Sequence, residues 1–485
     1  MRCGCYGWGN GTGTWGYLMV ENNDPARMAS IFVLPLPGRD LIYAPLHHVA
    51  ALVNRLASQQ VQEALLSTEQ SSAPQLTEIV QRLRVSLQTV PQPKQGELMP
   101  AFLGLIPTRG CNLACAYCGF VPAGEPTGAM PLPLVRDAVE WYLDLVGRAG
   151  MQTAEVHFFG GEPFCAEEVI DVAYHAARLK AAQVGCTVRF EVVTNGAFSE
   201  ERCRWAADSL DVVILSLDGP ATVHDQHRRR RDGRGSFEQV ARSARILSQG
   251  AAELAFRVCV TEETVETQGL PEIAAWLLQE FRPVSVCFEP LQPTAQSEAA
   301  GLSPPDGWAF ARGFIQAARI LEASGVVPVY TAADIQARRV SFCPVGQDVT
   351  IVSPDGTVNA CYLLRRDWEA QGLDLRLGSM GNGTVHLDAG AVETTRNLNV
   401  WNKPACAGCF CKWHCAGGCH VNHRLSPTPG AYDRQCIQTR IIALRNVLKA
   451  LGCEGQMSEM LGSPELLART VLQPSDRLAE VRLAA

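Results

Sequence analysis

Apolar residues fall into two periods along this chain. Between Ala101 and Pro290, short runs that are almost wholly apolar (Phe102–Ile106, Val156–Phe159, Val188–Val193, Val212–Leu217, Leu254–Val260 and Val284–Phe288) alternate with stretches such as Leu132–Leu145 and Val169–Ala182, where apolar residues return every three or four positions. A continuous apolar run suits a strand buried on both faces, and the longer spacing suits a helix laid against it. Repeated βα units predict a parallel sheet, so the fold class is α/β. Six such strands without a Gly-rich dinucleotide fingerprint favour a partial (β/α)6 TIM-like barrel over a doubly wound sheet, with the site at the C-terminal strand ends.

The flanks read differently. Residues 1–28 are rich in Gly, Asn and aromatics with no period, predicting a flexible terminus in which Cys3 and Cys5 are untethered thiols. Ile31–Leu34 and Leu41–Ala44, separated by Pro35, Pro37 and Gly38, predict a hairpin. Leu46–Leu66, with Val49, Leu52, Val53 and Leu56 on one face, and Leu76–Leu87, with Ile79 and Leu83, predict two helices. After the linker marked by Pro91 and Pro93, the expected organisation is a small N-terminal α+β module over 29–98, the barrel over 99–325, a Cys-rich domain over 326–445 and a helical tail over 446–485.

Composition narrows the function. The 485 residues, 47% hydrophobic and 19% charged, suit a multidomain globular chain. A net charge of -7 and a pI near 5.9 lack the basic footprint of a nucleic-acid or anionic-membrane binder. The N-terminus has neither the basic nor the apolar region of a signal peptide, and no run is long enough to span a bilayer, so a cytoplasmic location is expected. There the nineteen cysteines, odd in number and unevenly spread, are better metal ligands than disulfides.

Cys111, Cys115 and Cys118 stand in GCNLACAYCGF, directly after the first barrel strand. A CxxxCxxC loop offers three thiolates to one iron-sulfur cubane and leaves the fourth iron open to a small chelator. A zinc site would want a fourth His or Cys nearby, and the loop contains none. One strand later comes FFGGEPF, whose Gly160 and Gly161 allow close backbone approach and whose Glu162 can accept from an ammonium.

These motifs, with Tyr117 before the last cysteine, resemble the radical S-adenosylmethionine (SAM) superfamily over roughly Phe102–Pro290. The resemblance implies that SAM chelates the open iron, that one electron cleaves it to a 5′-deoxyadenosyl radical, and that this radical abstracts a substrate hydrogen. It further implies an electron donor such as flavodoxin or ferredoxin. By the same carry-over Tyr117, Gly160, Gly161, Glu162, Asn195 in TNG, Ser216 in SLDGP and Arg228 are expected around SAM, Arg228 as a partner for its carboxylate. The remaining arginines to Arg231 read as a solvated loop, and His224 and His227 as capping or loop residues.

The ordered set Cys343, Cys361, Cys406, Cys409, Cys415, Cys419 and Cys436 resembles the SPASM extension of peptide-modifying radical SAM enzymes, which carries two auxiliary 4Fe-4S clusters. Three clusters in all are implied. Family precedent gives Cys406, Cys409, Cys415 and Cys436 to the distal auxiliary cluster, and Cys343, Cys361 and Cys419 to the other. The latter thus has three cysteines and either keeps an open iron beside the substrate, the favoured reading, or recruits a remote fourth thiol such as Cys411 or Cys287. Cys411 otherwise reads as a spectator, and Cys165, Cys186, Cys203, Cys259, Cys287 and Cys453 as small buried hydrophobes. The expected partner is a ribosomally made precursor peptide, bound to the N-terminal module as an added strand. The product remains open among crosslink, thioether, epimer and oxidation. An alternative is formylglycine formation in a sulfatase. In that subfamily an Asp follows the cysteine matched by Cys361, whereas here Tyr362 stands and becomes the candidate base. A nonenzymatic iron-sulfur or zinc scaffold is the alternative from another class; it has no use for GGEP at a strand end.

Overall fold

A computed structural model describes residues 31–66, 74–84, 90–121, 127–423, 425 and 431–472, so Cys3 and Cys5 lie outside the described residues. The chain forms two compact units.

The first unit takes Pro93–Tyr330 and Cys343–Leu398. Its parallel strands are β4 (Leu103–Leu105), β5 (Thr153–Phe158), β6 (Thr187–Thr194), β7 (Val212–Ser216), β8 (Glu253–Val260), β9 (Ser285–Pro290) and β10 (Val327–Val329), laid side by side in chain order. The six strands expected from the apolar runs are all present. The sheet grows beyond β4 through β11 (Thr350–Val352), parallel to it, into the antiparallel strands β12 (Thr357–Asn359), β13 (Arg376–Gly381) and β14 (Thr384–Leu387). Burial on both faces explains the unbroken apolar runs. On one face Phe158 and Phe190 stack, and Tyr174 of the helix Glu167–Val184 lies over Phe190, ring centroids 4.8 Å apart. On the other, Val212, Ile214, Ala255 and Cys287 form an apolar cluster joined by Val193 and Val329. Both faces of the sheet are therefore packed with apolar side chains, which leaves the strand ends as the place for a site. Of the six cysteines expected as buried hydrophobes, Cys203 and Cys287 are buried; Cys186, Cys259 and Cys453 are partly exposed and Cys165 is exposed, because it faces out of a short 3-10 turn after GGEP.

The second unit joins the described chain up to Gln92 with Thr331–Phe342 and the chain from Asn399 onward. Its sheet is an antiparallel meander of β1 (Phe32–Leu36), β2 (Arg39–Ala44) and β3 (Val49–Val53). The helices Arg55–Leu66 and Pro74–Arg84 close its core of Ile31, Ile42, Val49, Val61, Val80 and Leu83. The helix expected from Leu46 is corrected here: Pro45–His47 is a 3-10 turn, His48 is left-handed at φ 53°, and Val49–Val53 is a strand. The helix begins only after Asn54, whose Oδ1 caps the Ala57 N–H at 2.7 Å, and Leu56 points to solvent. A second apolar cluster gathers Leu46, Val400, Cys406, Trp413 and Ala416. The helices Arg434–Ala450, Glu454–Leu461 and Pro464–Leu472 complete the unit, the last reaching β1 through a hydrogen bond from Thr470 Oγ1 to the Pro35 carbonyl. Among the described residues no helix is long and apolar enough to cross a membrane.

Candidate active site

The CxxxCxxC loop leaves the C-terminal end of β4 and is tied to the segment after β7 by backbone. The Ala114 N–H donates to the Arg229 carbonyl at 2.7 Å and the Ala116 N–H to the His227 carbonyl at 2.8 Å. Within the loop, Leu113 N–H points at Cys111 Sγ (3.4 Å) and Phe120 N–H at Cys118 Sγ (3.5 Å). Such N–H groups suit an anionic sulfur. Burial nevertheless pushes the Cys111 and Cys115 thiols up to about 12, so thiolates here call for a cation. Three partly exposed thiols on one loop, with Cys115 and Cys118 both raising Cys111 electrostatically, fit a cluster with one iron left open.

GGEP closes onto this loop. The Gly161 N–H donates to the Thr108 carbonyl and the Glu162 N–H to the Gly110 carbonyl, at 3.1 and 2.8 Å. A Cβ on Gly161 would lie 2.1 Å from the Gly110 carbonyl oxygen, and one on Gly160, at φ 153°, 2.6 Å from that of Thr108. The two glycines, expected to admit a ligand, admit the backbone of the cysteine loop. Glu162 is 1% exposed; its Oε1 accepts from Thr194 Oγ1 (2.7 Å) and Phe164 N (3.1 Å), and its Oε2 from Asn195 N (2.7 Å). Burial outweighs these donors and raises the carboxyl to about 7. A carboxylate oxygen has two lone pairs, so Oε2 retains capacity for a further donor.

Asn195, at the end of β6, belongs to the same network. Its Nδ2 donates to Asn112 Oδ1 (2.8 Å) and faces Cys111 Sγ at 3.5 Å, while its Oδ1 accepts from Ala197 N. Ser216 ends β7 and is buried. Two residues on, Asp218 is a hub that the motif reading missed: Tyr117 donates its phenol proton to Oδ2, Arg228 Nε donates to Oδ2 at 2.9 Å, and Cys259 N to Oδ1 at 3.0 Å. Burial alone would raise Asp218, but Arg228 outweighs it and holds the carboxyl below its usual range. Arg228, expected on a SAM carboxylate, thus spends its Nε on Asp218, hydrogen-bonds the Cys115 thiol and lies 5.3 Å from the Tyr117 ring centroid. The available signal was an acid in SLDGP ten positions before an arginine. His224 is buried and donates or accepts at Ser236 Oγ, His227 closes the short helix after β7, and Arg229, Arg230 and Arg231 are exposed, as expected of a loop.

Tyr362 follows β12, with its ring 4.8 Å from Phe159 and its hydroxyl close to Gly104 of β4, where a Cβ would lie 2.5 Å away. Burial lifts this phenol well above its usual range, so it is protonated, a donor as it stands. Cys343 and Cys361 belong to the first unit, before β11 and after β12, and Cys419 to the second.

In the second unit Cys406, Cys409, Cys415 and Cys436 lie close enough to perturb one another, burial raising Cys415 to about 11. Four buried or half-buried thiols at one locus fit a fully ligated cluster. Cys411, read as a spectator, is buried and gives Cys409 a hydrogen bond that holds the latter below the usual thiol range.

Residues 105–267 match the family model described as the Radical SAM superfamily. A serine-type anaerobic sulfatase-maturating enzyme of Klebsiella aerogenes is 25% identical over 332 residues, 64% of this chain and 78% of that protein. A cysteine-type anaerobic sulfatase-maturating enzyme of Clostridium perfringens is 25% identical over 162 residues, 32% of this chain and 43% of that protein. The solved structure of native anSMEcpe with bound AdoMet and Cp18Cys peptide superposes with a TM-score of 0.57 at 17% identity, covering 73% of this chain and 99% of that one, which shows a shared fold.

Proposed function

We propose, from the premise that residues 105–267 make this chain a radical SAM enzyme, that it removes a hydrogen atom from a residue of a ribosomally made precursor peptide. The observation that carries the reading is the convergence of the CxxxCxxC loop, Glu162 and Asn195 at the ends of β4, β5 and β6. Cys111, Cys115 and Cys118 would hold a 4Fe-4S cluster which, with SAM bound, would supply a 5′-deoxyadenosyl radical. The chain's own part is to hold and orient. Glu162 Oε2 would offer its remaining lone pair to an N–H of the SAM amino group, and Asn195 locks the loop carrying Cys111 to the turn after β5 that carries Glu162. The Asp218–Arg228 pair anchors Tyr117 beside Cys118 and keeps a buried positive charge next to Cys115. Among the described strands β3 pairs with β2 alone, and its outer edge suits a precursor added as a strand.

The sulfatase reading is the second, favoured by the relatives from Klebsiella and Clostridium. It asks for a base after Cys361, where this chain has a phenol held protonated by burial. Anaerobically reconstituted enzyme given SAM, reductant and a deuterated precursor peptide should yield 5′-deoxyadenosine carrying the label, and replacing all three loop cysteines by Ala should abolish it. Cleavage by the triple variant would overturn the site. Label transfer from a sulfatase peptide and none from the precursor would select the second reading.

A further inference from the structure

The helix Arg434–Ala450 carries Cys436 in its first turn and Arg440 four residues later, on the same face. Arg440 is 1% exposed. Its guanidinium carbon lies 4.5 Å from the Phe410 ring centroid and 4.0 Å from that of Tyr432, its Nε donates to the Val471 carbonyl, and its Nη1 donates to Cys409 Sγ at 2.9 Å. Two rings and two hydrogen bonds thus fix a planar cation against one sulfur of the four-cysteine locus. A guanidinium taken out of water is tolerated where an anion answers it, and a metal-bound thiolate is such an anion. The neighbouring imidazole is placed differently: His423 Nε2 sits 2.9 Å from Asp433 Oδ2 and 3.8 Å from Cys436 Sγ, so its nearer partner is the carboxylate.

We propose that Arg440 is a positioning residue that sets the reduction potential of a cluster held by Cys406, Cys409, Cys415 and Cys436, making that cluster a better electron acceptor; this rests on the auxiliary-cluster reading of those cysteines. One-electron reduction adds a negative charge to the cluster and its sulfurs. A fixed N–H donor and a fixed cation beside Cys409 stabilise the reduced form more than the oxidised one, which raises the potential. Lysine would keep the charge and lose the fork that reaches sulfur and carbonyl together. Lys412, whose Nζ lies 4.8 Å from the Trp413 ring centroid, supplies positive charge in the same unit and makes the comparison for charge alone.

The test uses the full chain with Cys111, Cys115, Cys118, Cys343 and Cys361 replaced by Ala, so that bound iron reports the second unit. Iron content and an EPR-monitored redox titration are read in this parent and with Arg440→Lys, Arg440→Met or Lys412→Met added. The expected result is undiminished iron with a midpoint shifted to more negative potential, most for Arg440→Met, less for Arg440→Lys and least for Lys412→Met. A midpoint unmoved in Arg440→Met overturns the proposal. So does loss of iron in Arg440→Met with the parent midpoint kept in Arg440→Lys, which makes the residue a structural clamp only. A parent holding no iron-sulfur cluster overturns the auxiliary-cluster reading itself, and the role of Arg440 falls with it.

Discussion

Glu162 is a carboxyl that burial holds near about 7 although three donors face it. The sign of its linkage follows from the raised value: its contribution to stability is present in acid and is lost as pH rises through about 7, where a buried anion forms. An N–H donor placed against that anion offsets part of what ionisation removes, and the carboxylate is a better acceptor than the neutral acid. SAM should therefore bind more tightly, and stabilise the protein more, at about pH 8 than at about pH 6. Glu162→Gln should weaken SAM by about tenfold, about 1.4 kcal/mol, and flatten the pH profile; calorimetric titration at several pH values checks both, and a pH step surviving in the variant would remove Glu162 from the binding site. The residue types of this site were legible because chemistry constrains spacing: three thiols within eight positions and a carboxylate after two glycines. Its wiring was not. Glu162 meets Asn195 across thirty-three positions and Tyr117 meets Asp218 across a hundred and one, and no local pattern encodes such distances.

At the scale of elements, the barrel strands announced themselves because burial on both faces forbids polar interruption. β3 did not. Val49, Leu52 and Val53 satisfy a helical spacing as well as a strand, and a five-residue run is too short for periodicity to arbitrate. The discriminating signal was Asn54, a helix cap placed after the run and not before it. The docking of GGEP onto the cysteine loop gives a sharper test. Gly161→Ala forces a methyl group into the Arg109 and Gly110 carbonyls, and backbone must move to admit it. Iron should then fall by about one cluster of the expected three per chain while the fold, read by circular dichroism, is kept. An alanine variant with full iron and full SAM cleavage would show that the loop tolerates displacement.

For the whole molecule, the three-stranded sheet expected to stand alone as a module shares one compact unit with the Cys-rich segment. Leu46, just before β3, packs with Val400, Cys406 and Trp413, and Tyr43 of β2 hydrogen-bonds His414 at 2.5 Å, next to Cys415. Leu46→Ala should destabilise the chain by about 2–4 kcal/mol in denaturant unfolding, and deleting residues 31–92 should lose iron as well as peptide binding. Loss of peptide binding alone, with iron intact, would mean that the sheet is a dispensable attachment. This union of sheet and cysteines was invisible in sequence because more than three hundred residues separate Leu46 from Val400. The unit is written in three pieces, the first before residue 93 and the last after residue 398. On a ribosome, β1 emerges early among the described segments, yet the helix Pro464–Leu472 that leans on it follows more than four hundred residues later. These strands must wait for all the residues between them and that helix. A cluster on Cys406, Cys409, Cys415 and Cys436, as proposed, would then be loaded only once those later helices exist, and a nascent chain carries its unclosed sheet as a surface for chaperones to shield.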